Sequence, residues 1–138
     1  MISVCIDANV YISAIAFGGK PAKIVELALL RKFDLVTSLP ILDEVSRNLT
    51  NKLGFSAVEV NQFLRDILAI SSVYEPTGSV SYITHKQDNL VLETALLGNV
   101  DVLVTGDKKD LLPLKNFKGI VIEPPSVFLL RLESLGIM

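Results

Sequence analysis

The chain has 138 residues, of which half are hydrophobic, and its 13 basic and 15 acidic side chains leave a net charge of −2. That length fits one domain over residues 1–138 with a substantial core. The charge balance excludes a broad basic face for nucleic acid, so a polyanionic ligand has to be held locally or through metal ions.

Ile2 to Ile6 is short, apolar and β-branched, and reads as a buried strand ending at Asp7. Its Cys5 is the only cysteine, so no internal disulfide is possible and a buried, inert thiol is expected. No leader pattern and no long apolar span is visible, which points to a cytoplasmic protein without a membrane segment. Ala8 to Phe17 reads as a short helix or turn stopped by Gly18-Gly19. Pro21 opens a helix to about Lys32, at a position where its missing N–H costs little. Phe33 to Thr37 is a second strand. A helix from Ser38 and Pro40 carries Leu42, Val45, Leu49 and Leu53 on one stripe and stops at Gly54. Ser56-Ala-Val-Glu59 is a capping box, followed at helical spacing by Val60, Phe63, Leu64 and Ile67. Ala69 to Tyr74 reads as a strand, and Glu75 to Lys86 as a polar loop. Asp88 to Leu97 is a nearly all-apolar helix ended by Gly98, hence buried on most sides. Val102 to Thr105 is a strand before a Gly106-Asp107 turn, and Gly119 to Ile122 another. Pro124-Pro125 introduces a last helix to about Leu135. Strands alternating with helices imply right-handed crossovers and a parallel sheet covered on both faces. Sites in such sheets lie beyond the carboxyl ends of the strands.

Several acids fall at that edge. Asp7 ends the first strand, Asp107 follows Val102–Thr105, Asp88 begins the helix feeding that strand, and Glu44 or Asp43 lies in the first turns of the third helix. Periodicity does not choose between Asp43 and Glu44, since both flank the apolar stripe. Taken singly, each acid has a plain structural account as a cap, a turn residue or a solvated helix face. Their coincidence on one edge is what suggests chemistry. Crowded carboxylates raise one another's pKa unless a cation neutralises them, and Mg²⁺ suits carboxylates, water and phosphate oxygens. A pair of such ions can serve phosphodiester cleavage.

Other classes fit poorly. One histidine and one cysteine make a zinc site unsuitable, and a serine or cysteine triad would need His85, which has no visible partner. Gly18-Gly19-Lys20 lacks Walker spacing, and no Gly-rich dinucleotide fingerprint occurs. A haloacid-dehalogenase phosphatase wants Asp-x-Asp where the chain has Asp7-Ala8-Asn9, and a receiver wants an early acid pair that is missing.

Three stretches together carry a family resemblance: VCIDANVYISAI, ILDEVSRNL, and DNLVLETALLGNVDVLVTGDKKDLL. In order and spacing they resemble the PIN domains. The nearest flavour is the VapC-like toxin ribonuclease of prokaryotic toxin–antitoxin pairs. The resemblance covers almost the whole chain and implies a three-layer α/β/α sandwich with a central parallel sheet. It implies a Mg²⁺ or Mn²⁺ site formed by Asp7, Glu44, Asp88 and Asp107, with Asn9 and Thr105 as supporting polar residues. It implies metal-dependent endoribonuclease activity; the alternative on the same fold is a catalytically silent module that binds RNA or protein. Relatives often carry a further Asp where this chain has His85, and Glu93 lies well around the helix from Asp88, where a buried hydrogen-bonding or solvated role suits it. Lys86, Lys108 and Lys109 flank the acids and are candidates for RNA phosphates, with solvated surface lysines as the plain alternative. The helix after Pro21 (Ile24, Val25, Leu27, Leu29, Leu30) and the one from Ser56 are apolar beyond one stripe. With the resemblance, this points to a homodimer that also binds a small antitoxin.

Overall fold

The computed structural model describes all of residues 1–138. Its elements run β1 (Ser3–Ile6), α1 (Ala8–Ala16), α2 (Gly19–Leu29), β2 (Asp34–Ser38), α3 (Leu39–Arg47), α4 (Ala57–Ile70), β3 (Ser71–Tyr74), α5 (Lys86–Leu97), β4 (Val102–Val104), β5 (Asn116–Phe117), β6 (Ile120–Glu123) and α6 (Pro125–Ser134). The strands form one six-stranded sheet in the order β3-β2-β1-β4-β6-β5. β1, β2, β3, β4 and β6 are parallel, as the alternation predicts.

The chain begins in the middle of the sheet, builds outward through β2 and β3, then crosses to the other side of β1 for β4. β1 and β4 therefore flank the topological switch point, where a crevice opens beyond the strand ends. The buried run Val4–Ile6 pairs on one side with β2 and on the other with Val102–Val104. Strands hydrogen-bonded on both sides and covered on both faces need a continuous apolar run, which these are.

Several boundaries differ from the sequence reading, each for a local reason. β5 was not foreseen and runs antiparallel to β6. Its connection is Lys118-Gly119, both at positive φ (50° and 88°), a backbone that makes a tight hairpin without the Asn-Gly signature. α2 starts at Gly19 and leaves Pro21 third in its first turn, where the N–H is still one of the four without a helical acceptor. The third helix continues as a π-helical turn over Asn48–Lys52, and the added residue rotates Leu53 off the apolar stripe into solvent. Gly98 is not the left-handed cap, since Asn99 takes the positive φ of 49°. A Cβ on Gly98 would sit 2.5 Å from Val36 Cγ1, so glycine there lets the end of α5 approach β2.

Ser56 caps α4 as expected, its Oγ accepting from Glu59 N at 3.2 Å and donating to Glu59 Oε1 at 2.9 Å. Residues 75–85 hold no helix or strand, yet Val80 and Ile83 pack against the core and Tyr82 meets Phe117 edge-on at 5.0 Å. No helix is long and apolar enough to cross a membrane.

Candidate functional site

The switch point is laced together by three residues just beyond the ends of β1 and β4. Asp7 lies one residue past β1, and its N–H donates to Val104 O at 2.9 Å, so the backbone of β4 fixes it. The Asp7 carboxylate is buried and caps α1: Oδ1 accepts from Ala8 N at 2.7 Å. Its Oδ2 accepts from Thr105 Oγ1 at 2.8 Å and Asn9 Nδ2 at 3.2 Å. Thr105 Oγ1 also accepts from Asp107 N at 3.0 Å, and Asn9 Oδ1 accepts from Gly106 N at 3.0 Å. Asn9 and Thr105 thus tie the first acid to the turn that bears the next.

That turn folds back on itself. Asp107 Oδ1 accepts from Lys109 N at 3.0 Å and Asp110 N at 3.1 Å. The result brings Asp110 beside Asp107, and α5 brings Asp88 from its first turn. One carboxylate oxygen from each of Asp88, Asp107 and Asp110 lies within 4.8 Å of the others. Asp7 and Glu44 contribute no oxygen to that tight set, but their charges act on it.

The electrostatics record the crowding. Burial pushes the Asp7 carboxyl up to about 6; hydrogen bonds from Thr105 and Ala8 oppose this, and Glu44 and Asp107 add to it. Burial, then Asp107, Asp7 and Asp110, push Asp88 up to about 6 against the pull of His85. Glu44 is raised by burial and by Asp88, while Arg47 and Lys52 draw it back. Periodicity left Asp43 and Glu44 open, and the two differ in orientation. Asp43 is exposed and paired with Arg47 at 3.2 Å, whereas Glu44 is half-buried within the field of the other acids.

Two residues at this edge were not assigned to the site from the sequence. Asp110 sits in the Asp-Leu-Leu turn of the quoted motif, and its signal was the Asp107-x-x-Asp110 spacing, which an Asp-headed turn closes on itself. His85 has a partner after all, its Nε2 lying 3.4 Å from Asp110 Oδ2. Lys86, Lys108 and Lys109 are exposed around this edge and stand outside every ion pair. Glu93 is buried and bonded to residues 77–79, which is the hydrogen-bonding one of the two roles, buried or solvated, that suited it.

The donor set suits a hard cation. The ligand atoms on offer are carboxylate oxygens and a threonine hydroxyl; Cys5 is fully buried in β1, and burial pushes its thiol far up.

Comparison with known proteins follows the same lines. The sequence model of a family described as the PIN domain matches residues 3–109. Among solved structures the fold is similar to VapBC2 from Rickettsia felis bound to a DNA fragment from their promoter, with a TM-score of 0.62 and 16% identity over 89% of this chain and 98% of that one. No curated protein matches the sequence.

Proposed function

The chain belongs to the PIN-domain family, and on that premise we propose that it is a Mg²⁺- or Mn²⁺-dependent endoribonuclease, the toxin of a prokaryotic toxin–antitoxin pair. The observation that carries this reading is the set of three acids within 4.8 Å, backed by Asp7 and Glu44, with two of the five carboxyls pushed up to about 6. Such a cluster is unfavourable by itself and becomes favourable around a divalent cation.

Asp88, Asp107 and Asp110 would hold the cation, with Asp7 as a further ligand or as the fixed negative group behind it. A bound divalent ion supplies Lewis acidity at the phosphate and lowers the pKa of water. The chain's own contribution is placement. Thr105 and Asn9 fix the Asp7 carboxylate and the 105–107 turn as one rigid unit. Glu44, half-buried and with a raised carboxyl, would orient the attacking water or accept its proton. Lys86, Lys108 and Lys109 meet the phosphates on either side of the cleaved bond. No side chain at this edge is placed as a covalent nucleophile.

A partner surface lies elsewhere. α1, α2 and α4 enclose an apolar groove of about 280 Å³ lined by Ala14, Ile15, Ala22, Val25, Leu29 and Phe63. Beside it Phe17 is 82% exposed. An exposed apolar face of this kind suits burial against a small antitoxin or a second copy. Light scattering at micromolar concentration tests the dimer, and a strictly monomeric mass would count against it.

The enzymatic reading is tested by incubating the purified chain with structured RNA, in EDTA and across a Mn²⁺ titration. Cleavage that requires the metal and disappears in Asp88→Asn supports it. Intact RNA at all metal concentrations would leave only a silent binding module on this fold.

A further inference from the structure

We propose that Glu93 and Asn89 are positioning residues of the acidic edge: they fasten residues 77–83 along α5 and, through that strap, hold His85 against Asp110 beside Asp88. The inference rests on the proposed function for its consequence, since it concerns how one wall of that site is kept in place.

Glu93 is a buried carboxylate with no cation beside it. A charge so placed is tolerated only when N–H and O–H donors surround it. Oε1 accepts from Gly78 N at 2.9 Å and Ser79 N at 3.1 Å, and Oε2 from Thr77 N and from Thr77 Oγ1 at 3.1 Å. Consecutive backbone N–H groups converge like this only where the chain curls into a concave nest, and Gly78 at φ 85° supplies the curl. The backbone donors, that of Thr77 foremost, hold the Glu93 carboxyl below its ordinary range despite burial.

One turn nearer the start of α5, Asn89 repeats the grip. Its Oδ1 accepts from Tyr82 N at 3.1 Å and Ile83 N at 3.0 Å, and its Nδ2 donates to Ile83 O at 2.7 Å. Residues four apart share a helix face, so Asn89 and Glu93 form a two-point clamp. Asp88 is the next residue round and faces the acids. A single helix therefore holds the strap with one face and supplies the cluster with another.

The strap ends where the site begins. Only Thr84 separates Ile83 from His85, a stretch of chain that reaches at most about 7 Å. His85 is the N-cap of α5 and is exposed, and its ring has Asp110 as its one charged partner. Its carbonyl accepts from Asn89 N at 3.1 Å, closing the first turn that carries Asp88. Releasing the strap frees the imidazole and loosens that turn together.

His85 is the only histidine, so its ring Hε1 proton gives one NMR signal of its own. The test compares that signal in the metal-free full chain for wild type, Glu93→Gln, Asn89→Ala and Asp110→Asn, the last marking the position of the unpartnered ring. Leu132→Ala, at a buried position of α6, serves as a control for general loss of stability. Glu93→Gln and Asn89→Ala are expected to move the signal at least halfway to the Asp110→Asn position, with Leu132→Ala leaving it in place. A wild-type position in both clamp variants overturns the proposal, and so does an equal shift in Leu132→Ala. If one clamp variant does not fold, the other decides. A Mn²⁺ titration then follows paramagnetic loss of the same signal. The clamp variants are expected to need roughly tenfold more Mn²⁺ than wild type. A wild-type signal that Mn²⁺ never attenuates defeats the metal reading, while the metal-free shifts still decide the clamp.

Discussion

α5 carries two acids five residues apart, Asp88 and Glu93, in opposite surroundings. Asp88 stands partly exposed among other carboxylates, and its pKa is pushed up to about 6. Glu93 is more deeply buried, yet its pKa is lowered. Burial alone favours the neutral form of both. Neighbours reverse that sign only at Glu93, where backbone N–H groups surround the carboxylate; at Asp88 burial comes first and the surrounding acids add to it. Asp7 lies between these cases. Its contacts with Ala8, Asn9 and Thr105 do not offset burial, and it too is pushed up to about 6. One region is complete in itself, its acid surrounded by backbone donors, whereas the other crowds carboxylates together.

The most severe way to break that contrast is to remove a charge from the crowded region. Asp7→Asn is expected to lower metal-dependent RNA cleavage to below roughly one-hundredth of wild type, through lost placement of ligand and water. The variant should stay folded, because the amide relieves a buried charge. Near-wild-type cleavage by a folded Asp7→Asn protein would remove Asp7 from the site.

The same contrast predicts the pH dependence of stability without metal. Asp7 and Asp88 keep their protons longer in the folded chain than in the unfolded one. Their stabilisation is full below about pH 4 and is lost as pH rises through 6. For Asp7, about 6 against an ordinary 3.8 corresponds to about 3 kcal/mol. The Asp88 share is smaller because water screens it. Glu93 has the opposite sign: its contribution is present above its ordinary 4.5 and is lost as pH falls. Melts in EDTA should therefore give a Tm that falls between pH 5 and pH 7, and Asp7→Asn should flatten the fall. A wild-type Tm that climbs across that interval contradicts the assignment.

How much of this is written in the sequence differs between the two regions. The acidic edge was legible because strands β1 and β4 are apolar runs that stop at an acid or just before one. Once they are parallel neighbours, their acids share an edge. Asp43 and Glu44 were indistinguishable there because helical phase gave each the same claim; the Arg47 ion pair of exposed Asp43 and the half-burial of Glu44 separate them. Asp110 was hidden because it joins the others through a turn rather than a helix or strand period. The strap was less legible still. Its bonds run from backbone N–H groups to Glu93 and Asn89, and backbone donors leave no trace in residue type beyond Gly78. A polar stretch rich in Ser, Thr and Gly reads as a solvated loop whether or not a buried acid organises it.

A milder change probes the complete region. Gly78 takes φ 85°, and a Cβ there would meet nothing within 4 Å. Gly78→Ala thus carries a conformational cost without a clash, about 1 kcal/mol for a left-handed residue. Hydrogen exchange should quicken at Thr77, Gly78 and Ser79, with the β1 and β4 amides unaffected. Unchanged protection at those three positions would mean that the nest does not depend on the glycine.

The smallest effect separates two adjacent acids on α3. Asp43 and Arg47 form an exposed pair four residues apart on the helix, and the Asp43 side chain is 68% exposed. Pairs of this kind contribute roughly 0.3–0.5 kcal/mol, and less in salt. Asp43→Ala should cost no more than that. Its effect on the acidic edge is indirect. Arg47 already draws the Glu44 carboxyl down against burial and Asp88, and without Asp43 the guanidinium is freer to lean that way. The ionised form of Glu44 should then be slightly favoured, and Mn²⁺ affinity should not fall. Glu44→Gln, one residue on, removes a charge from the cluster itself and should weaken Mn²⁺ binding measurably. Calorimetric titration of both variants decides the matter: equal losses of affinity in the two would show that α3 contributes a diffuse field and that Glu44 has no particular place in the site.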